Sequence, residues 1–514
     1  MLRRNRRTTR RLSAAGAAAI ALATVAACSG SDSASSKGAG GPLVFGITAD
    51  ATQLLPWTAT AVQSQQVLGQ VYSSLLDQDD KLAPVAGLAE LPEISKDGRT
   101  YTFALKSGVT FSDGSALDSA DVKYSLERIL DPGTKAVARS SLAAVRKVAA
   151  PDKTHVVLSL KAPDASLVTA LTSVNTVVLP SDKPLSGLRR KPVGSGPYAF
   201  KSRTANQSVT LVRNADYFRG RPGLRSLEFR VIQDKNSLAS ALRSGTVDMA
   251  IFDDSVTAKT AKSGSVAIHA VDQLDYHALQ LRADSATFRK LDTRLAVQCA
   301  IDREQVIKTA ALGQGKVVGP FTSPAFASDP RARPCPKRDV KAAKRHLADA
   351  GRPSGFAFTA LVPQGLYSTA TDEAQNIQAQ LGDVGIKMKI ETLDSSAYVD
   401  RWLAGEFDAA IALNGAVADP APAYARYFTS DGNFNKVAGY HSAALDKLFA
   451  EGIATGDTSA RKEIYAKISR NLEDNAAWIW LYSGRSYIAT NTRVHGFRPV
   501  IDASLQSLWE TKLA

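Results

Sequence analysis

The chain has 514 residues, with 63 Lys+Arg against 49 Asp+Glu, a formal net charge of +14 and 3 Cys. At 44% hydrophobic and 22% charged residues it is globular, which excludes disorder, collagen and a whole-chain coiled coil. The length supplies core for two to four domains, while three cysteines cannot build a disulfide-dense scaffold or a zinc ribbon.

The charge is unevenly placed. Arg3, Arg4, Arg6, Arg7, Arg10 and Arg11 stand at the front, with no acid among residues 1–27. Residues 14–27 are small or apolar throughout. That run is too short for a membrane-spanning helix, which needs about 20 residues. It fits the hydrophobic region of an export signal. Val25-Ala26-Ala27-Cys28 resembles a lipobox, where the cysteine thiol receives a diacylglyceryl group and the leader is removed. A plain signal peptide that happens to meet a cysteine is the alternative. Thr9-Arg10-Arg11-Leu12 faintly resembles a twin-arginine signal, so the export route stays open. Residues 29–41 are mostly Ser, Gly, Ala and Asp and read as a flexible tether reaching roughly 20 Å. The expected protein is extracytoplasmic, lipid-anchored through Cys28 and otherwise soluble. Loss of the leader's six positives takes +14 to +8. The remaining Lys and Arg are dispersed without interleaved aromatics, which argues against a nucleic-acid partner.

From Leu43 the pattern is mixed α and β, without repeats. Residues 43–47 read as a strand and 64–76 as a helix, with Val67, Leu68, Val71, Leu75 and Leu76 apolar. Strands follow at 100–105 and 155–160. Between them a helix over 119–129 takes Ser119 as its N-cap. Strand 226–232, helix 235–242 and strand 247–252 form one alternating group. Strand 356–362, helix 371–384, strand 387–392, helix 395–403 and strand 408–413 form another. Such alternation predicts parallel βαβ units, and its occurrence in two places predicts two α/β lobes. Ligands of such sheets lie beyond the carboxyl ends of the strands. This points to 48–50, 253–254, 363–367 and 414–423.

Catalytic signatures are missing. The six histidines form no HxH, HExxH or HxxxH pair, so no metal site is expected from local spacing, and no cofactor either. No GxSxG elbow, SxxK or Walker loop occurs. Gly194-Ser195-Gly196-Pro197 reads as a tight turn. Asp77, Asp79 and Asp80 read as a solvated turn rather than a calcium loop. Cys299 and Cys335 are expected to form a disulfide in an exported protein, the alternative being two buried thiols.

Several stretches then carry a resemblance. They are Val85-Ala86-Gly87-Leu88-Ala89-Glu90, Asp97-Gly98-Arg99-Thr100-Tyr101-Thr102-Phe103, Phe111-Ser112-Asp113-Gly114 and Asp121-Val122-Lys123-Tyr124-Ser125-Leu126-Glu127-Arg128. Val193-Gly194-Ser195-Gly196-Pro197-Tyr198, Arg213-Asn214-Ala215-Asp216-Tyr217-Phe218, Ser244-Gly245-Thr246-Val247-Asp248 and Ala300-Ile301-Asp302-Arg303 follow in order. Together they resemble family 5 extracellular solute-binding proteins, the peptide-binding components of ABC importers. The resemblance implies a two-lobed periplasmic-binding-protein-like α/β fold with an inserted domain. Lobe I would take 42–74, 186–272 and 485–514, the inserted domain 75–185, and lobe III 273–484. It implies a monomer that is not an enzyme, closes by hinge motion over a ligand, and delivers that ligand to permease and ATPase subunits. A ligand-sensing receptor of the same fold is the alternative.

The ligand contacts are expected at Trp57, Arg282, Asn414, Asp419 and Tyr424. Peptide-binding relatives carry an acid for the peptide amine four positions before the loop proline. Here that position is Ala416, before Pro420. Asp419 would substitute for the acid or merely cap the turn. Trp57 would line the cleft or fill the lobe core. Arg282 would meet a ligand carboxylate or stand exposed. Asn414 sits near the place of a tryptophan common in relatives, and Tyr424 would supply an aromatic wall. The missing acid points to a ligand less zwitterionic than an ordinary peptide.

Overall fold

The computed structural model describes residues 41–502 and 504–514. The arginine-rich leader, Cys28 and nearly all of the tether lie outside the described residues. No helix among the described residues is long and apolar enough to cross a membrane.

Two large sheets carry the chain. The first has seven strands, in the order Val266–Asp272, Arg485–Asn491, Met249–Phe252, Leu43–Ile47, Ser226–Val231, Ser208–Arg213 and Tyr198–Thr204. Leu43–Ile47 is central and buried along its whole length, as a continuous apolar run should be. It pairs in parallel with Ser226–Val231 and Met249–Phe252. Helix Lys235–Arg243 makes the crossover between those two and packs close against Gly46, so that a larger residue there would have to displace Leu238. A Cβ there would lie 2.3 Å from Leu238 Cδ1. The second sheet has six strands, in the order Lys316–Val317, Trp478–Ser483, Tyr276–Leu281, Ala409–Asn414, Ala357–Gln364 and Lys387–Asp394. Its Ala357–Gln364 strand runs parallel to both Lys387–Asp394 and Ala409–Asn414. A separate four-stranded antiparallel sheet is built from Glu93–Ile94, Thr100–Ala104, His155–Leu160 and Val145–Asp152. This is the expected two-lobed α/β fold.

The chain passes between the large sheets twice, at Asp272–Tyr276 and at Ser483–Arg485. The two passages are stitched to each other. Gln273 N donates to Gly484 O at 3.0 Å, and Arg485 Nε donates to Asp272 Oδ1 at 2.9 Å. Ser483 Oγ donates to Gln273 O, and Gln273 Nε2 donates to Ser486 Oγ at 2.8 Å.

Some boundaries differ from expectation. The first helix runs Val62–Val71, not 64–76, because Leu76–Gln78 pairs as a strand with Pro84–Ala86. The helix Ser119–Leu130 is capped by Asp118, not by Ser119. Asp118 accepts from Ala120 N at 2.9 Å, and Asp121 Oδ2 accepts from Asp118 N at 3.1 Å. A two-sided capping box of this kind outcompetes a single hydroxyl. The Gly194–Gly196 turn lies against the end of the first helix. A Cβ on Gly194 would lie 2.2 Å from Val71 O, and one on Gly196 2.6 Å from Val71 C.

Cys299 and Cys335 are bonded, with Cα atoms 5.0 Å apart. The bridge ties helix Leu291–Ala300 to the loop that precedes helix Val340–Asp349. Closing that 36-residue separation removes about 3–4 kcal/mol of chain entropy from the unfolded state. The double substitution Cys299→Ser, Cys335→Ser is expected to lower stability by about that amount in urea unfolding. An unchanged midpoint would show that the bridge does not constrain the unfolded chain.

Candidate ligand site between the lobes

A cavity of about 840 Å³ opens among the described residues. That is the size of a site for a small organic ligand, about 300–1,000 Å³. Its wall is drawn from chain segments far apart in sequence. Helix Val62–Val71 and the turn 77–82 form one side, and residues 137–141 and 166–177 another. Loop residues 416–419 with Pro422, and the C-terminal stretch 498–510, complete it.

The wall is mixed in chemistry. Val62, Val137 and Val417 are exposed apolar side chains turned to this space. Gln65 and Asn175 knit two of the segments together. Gln65 Nε2 donates to Asn175 Oδ1 at 3.3 Å, and Asn175 Nδ2 donates to Pro56 O at 2.6 Å and Ala59 O at 2.9 Å. The acidic turn is held by its own side chain, because Asp79 Oδ1 accepts from Lys81 N and Ala83 N, each at 2.8 Å. The turn presses Leu82, in the left-handed region at φ 64°, into a small apolar cluster with Leu274 and Val500. Ala416, Ala418 and Ile501 pack on that cluster. It joins the turn, the hinge and the 416–418 loop at one end of the cavity.

Of the four strand-end segments expected near a ligand, only the 414–423 loop reaches this cavity. Asp50 is instead paired with Arg203 and accepts from Asn206 N at 2.8 Å. Asp253 is paired with Lys235 at 2.5 Å.

The five expected contact residues separate in the same way. Trp57 is fully buried in the core, and its Nε1 donates to Val177 O at 3.0 Å, so it packs rather than lines. Tyr424 is buried too, stacked on Tyr276 at 5.8 Å with its hydroxyl donating to Pro320 O. Asn414 sits at the end of its strand and accepts from Gln280 Nε2 at 3.2 Å, outside the cavity wall. Arg282 lines a separate 410 Å³ depression, where it pairs with Asp284 at 2.8 Å and donates to Gly405 O. Asp419 alone belongs to the wall, but its carboxylate is already used. It accepts from Arg461 Nη2, from Tyr465 Oη at 2.9 Å and from Ala421 N at 3.4 Å. It therefore locks helices Pro420–Phe428 and Thr458–Asp474 together rather than offering a free anion.

Residues that sequence reasoning passed over complete the wall. Gln70, Arg498, Asp502 and Glu510 carried no local signal. Asp77, Asp79 and Asp80 were visible as an acidic run, but only the folded chain sets them at a cavity.

A second polar cluster sits behind the hinge. His277 Nδ1 lies 2.8 Å from Glu373 Oε1, and the imidazole stacks on Tyr482 with centroids 4.2 Å apart. Glu373 also accepts from Tyr482 Oη at 2.7 Å and from Thr369 Oγ1 at 2.5 Å. Burial alone would push its carboxyl up. The neighbouring His277 and the hydrogen bonds from His277, Thr369 and Tyr482 outweigh this and hold it below the ordinary 4.5. Elsewhere Asp292, His346 and Asp349 bring possible ligand atoms within 4.8 Å of one another. There His346 Nδ1 and Asp292 Oδ1 are 2.8 Å apart and serve each other as a hydrogen-bonded pair.

The family described as bacterial extracellular solute-binding proteins, family 5, matches residues 83–436. Protein XP55 of Streptomyces lividans is 30% identical, over 93% of this chain and 90% of the relative. The oligopeptide-binding protein AppA of Bacillus subtilis is 28% identical, over 92% of this chain and 93% of the relative. The solved structure of that AppA, in complex with a nonapeptide, superposes with a TM-score of 0.73 at 26% identity. It covers 92% of this chain and 99% of its own. The chain belongs to the family 5 extracellular solute-binding proteins.

Breaking the Asp419–Arg461 pair leaves one buried charge without a partner. Asp419→Asn is therefore expected to cost about 3 kcal/mol or more in denaturant unfolding. Asp79→Asn, on the exposed turn, should stay within about 0.5 kcal/mol of the parent. Glu373 predicts the acid limb. Its folded pKa is depressed, so the stability it contributes is present above its unfolded value near 4.5. That contribution is lost as pH falls through the lower folded value. Melting temperature followed downward from pH 6 should drop more steeply in the parent than in Glu373→Gln. Parallel curves would remove Glu373 as the cause.

Proposed function

We propose that this chain is the solute-capturing component of an ABC importer for short peptides, held at the extracytoplasmic face of the cell membrane through a lipid on Cys28. The ligand enters the cavity between the lobes and is released unchanged to the permease. Lobe I is assigned to 42–74, 186–272 and 485–514, the inserted domain to 75–185 and lobe III to 273–484. The observation that carries the reading is the 840 Å³ cavity, walled by chain segments far apart in sequence and set beside two stitched passages between the large sheets. A hinge at the edge of a cavity lets closure bury a ligand, and the ligand's contacts then decide how far the closed state is populated. Peptides are favoured as ligands by the similarity to an oligopeptide-binding relative that spans nearly the whole chain.

A non-peptide solute is the second reading. Ala416 favours it, because the position where peptide-binding relatives carry the amine-binding acid holds a methyl group here.

Native mass spectrometry of protein purified from its own source tests both readings. A co-purified series of peptides is the expected result, and a single non-peptide mass would decide for the second reading. The anchor has its own test. Cys28→Ala should move the protein from the membrane fraction to the soluble one and abolish incorporation of labelled fatty acid. Retention on the membrane would sink the lipid assignment.

A further inference from the structure

The chain as a whole is basic, but its cavity is not. Six carboxylates stand in the wall or rim, Asp77, Asp79, Asp80, Asp419, Asp502 and Glu510, against two guanidinium groups, Arg219 and Arg498. Asp77 is held by Arg219 at 2.6 Å, and Asp419 is neutralised by Arg461 behind the wall. Arg498 is shared between Asp80, at 3.3 Å, and Glu510. Asp79 and Asp502 bond through their side chains only to backbone N–H groups, those of Lys81 and Ala83 and of Ser504. The carboxylates therefore exceed by three the cations that touch them. Lys81 lies on the same turn but not in the wall.

Two further groups have the same polarity. Gln70 stands in the wall at 2% exposure. Its Nε2 donates to Leu505 O at 3.0 Å, which fixes the amide and leaves Oε1 without a donor. A buried acceptor left unmatched costs the desolvation of that atom. Asp275 is half-buried at the hinge, beside the 416 loop. Its Oδ1 accepts from Ala416 N at 3.2 Å, and no Lys or Arg lies within ion-pair distance among the described residues. Burial pushes its carboxyl up, outweighing the hydrogen bond from Ala416 N and the nearby His277, which pull it down.

We propose that the cavity selects a ligand bearing several positive charges, and specifically a peptide rich in lysine or arginine. This rests on the reading of the cavity as the ligand site. Lone pairs that lack donors are matched by ammonium or guanidinium groups, which are donors only. The aliphatic stems of those side chains suit Val62, Val137 and Val417, since such stems bury on apolar surface while the head stays with the charges. An acidic cleft in a basic protein also concentrates cations at its mouth.

Calorimetry of the mature protein with trilysine, trialanine, triglutamate and spermidine tests this. Trilysine is expected to bind at least about tenfold more tightly than trialanine, with the gap narrowing as salt rises. Triglutamate should not bind. The double variant Asp79→Asn, Asp502→Asn keeps the side-chain oxygens that accept from the backbone N–H groups and should shrink the lysine preference. Asp275→Asn, which still accepts from Ala416 N, should shrink it too. Equal affinity for the three tripeptides would overturn the charge inference and leave the peptide reading standing. Spermidine binding without tripeptide binding would support the charge inference and remove the peptide. Failure of both trilysine and spermidine to bind overturns it, as does a lysine preference unchanged in all the variants.

Discussion

Everything in this protein hangs on the place where the chain crosses between its two large sheets. One passage runs outward at Asp272–Tyr276 and the other returns at Ser483–Arg485, and the backbone of Gln273 binds that of Gly484. Because the two are hydrogen-bonded to each other, the lobes share a single seam rather than two independent linkers. The side chains reinforce it, with Arg485 on Asp272 and Gln273 on Ser486. Leu274, within the first passage, carries the apolar cluster that reaches the acidic turn and the 416–418 loop. The end of the cavity is thereby fixed to the hinge.

Polar groups around this seam fall into two kinds. The first are satisfied and structural. Asp419 with Arg461 and Tyr465, and Glu373 with His277 and Tyr482, each spend a buried charge on joining helices and strands of the second lobe. Such pairs tolerate no loss of one member, since the other is then stranded out of water. The second kind are undersupplied, namely Asp79, Asp502, Asp275 and Gln70. Asp79, Asp502 and Gln70 stand in the cavity wall, and Asp275 beside the 416 loop that borders it. Gln70 Oε1 and the carboxylates of Asp79 and Asp502 leave this wall short of donors at the place where a ligand would meet it.

Legibility followed the physics of each signal. Strands with alternating faces, such as Thr100–Ala104 and His155–Leu160, were readable because one side faces water. Trp478–Ser483 and Tyr276–Leu281 were not, since both are buried along their entire length and lack any period. Leu75 and Leu76 looked like a further helical turn because their apolar spacing fits, yet pairing with Pro84–Ala86 takes Leu76 into a strand. Ser119 looked like a cap until Asp118 and Asp121 were seen to share the task. Among ligand candidates, Trp57 and Tyr424 were aromatic residues near strand ends, and both proved to be core. Position near a strand end says which end of the sheet a residue occupies, but not which way its side chain turns.

The family, the order of segments, the alternation of strand and helix, and six arginines near the N-terminus that account for much of the net basicity are all legible along the line of residues. These are properties of neighbouring residues, and neighbours can be read along a line. Which acids are already paired and which face the cavity follows from folding alone. Asp80 meets Arg498, more than four hundred residues away, and Gln70 meets Leu505. No spacing rule carries information about contacts made at such separations. The sign of the charge that a ligand meets depends on those contacts, and not on composition.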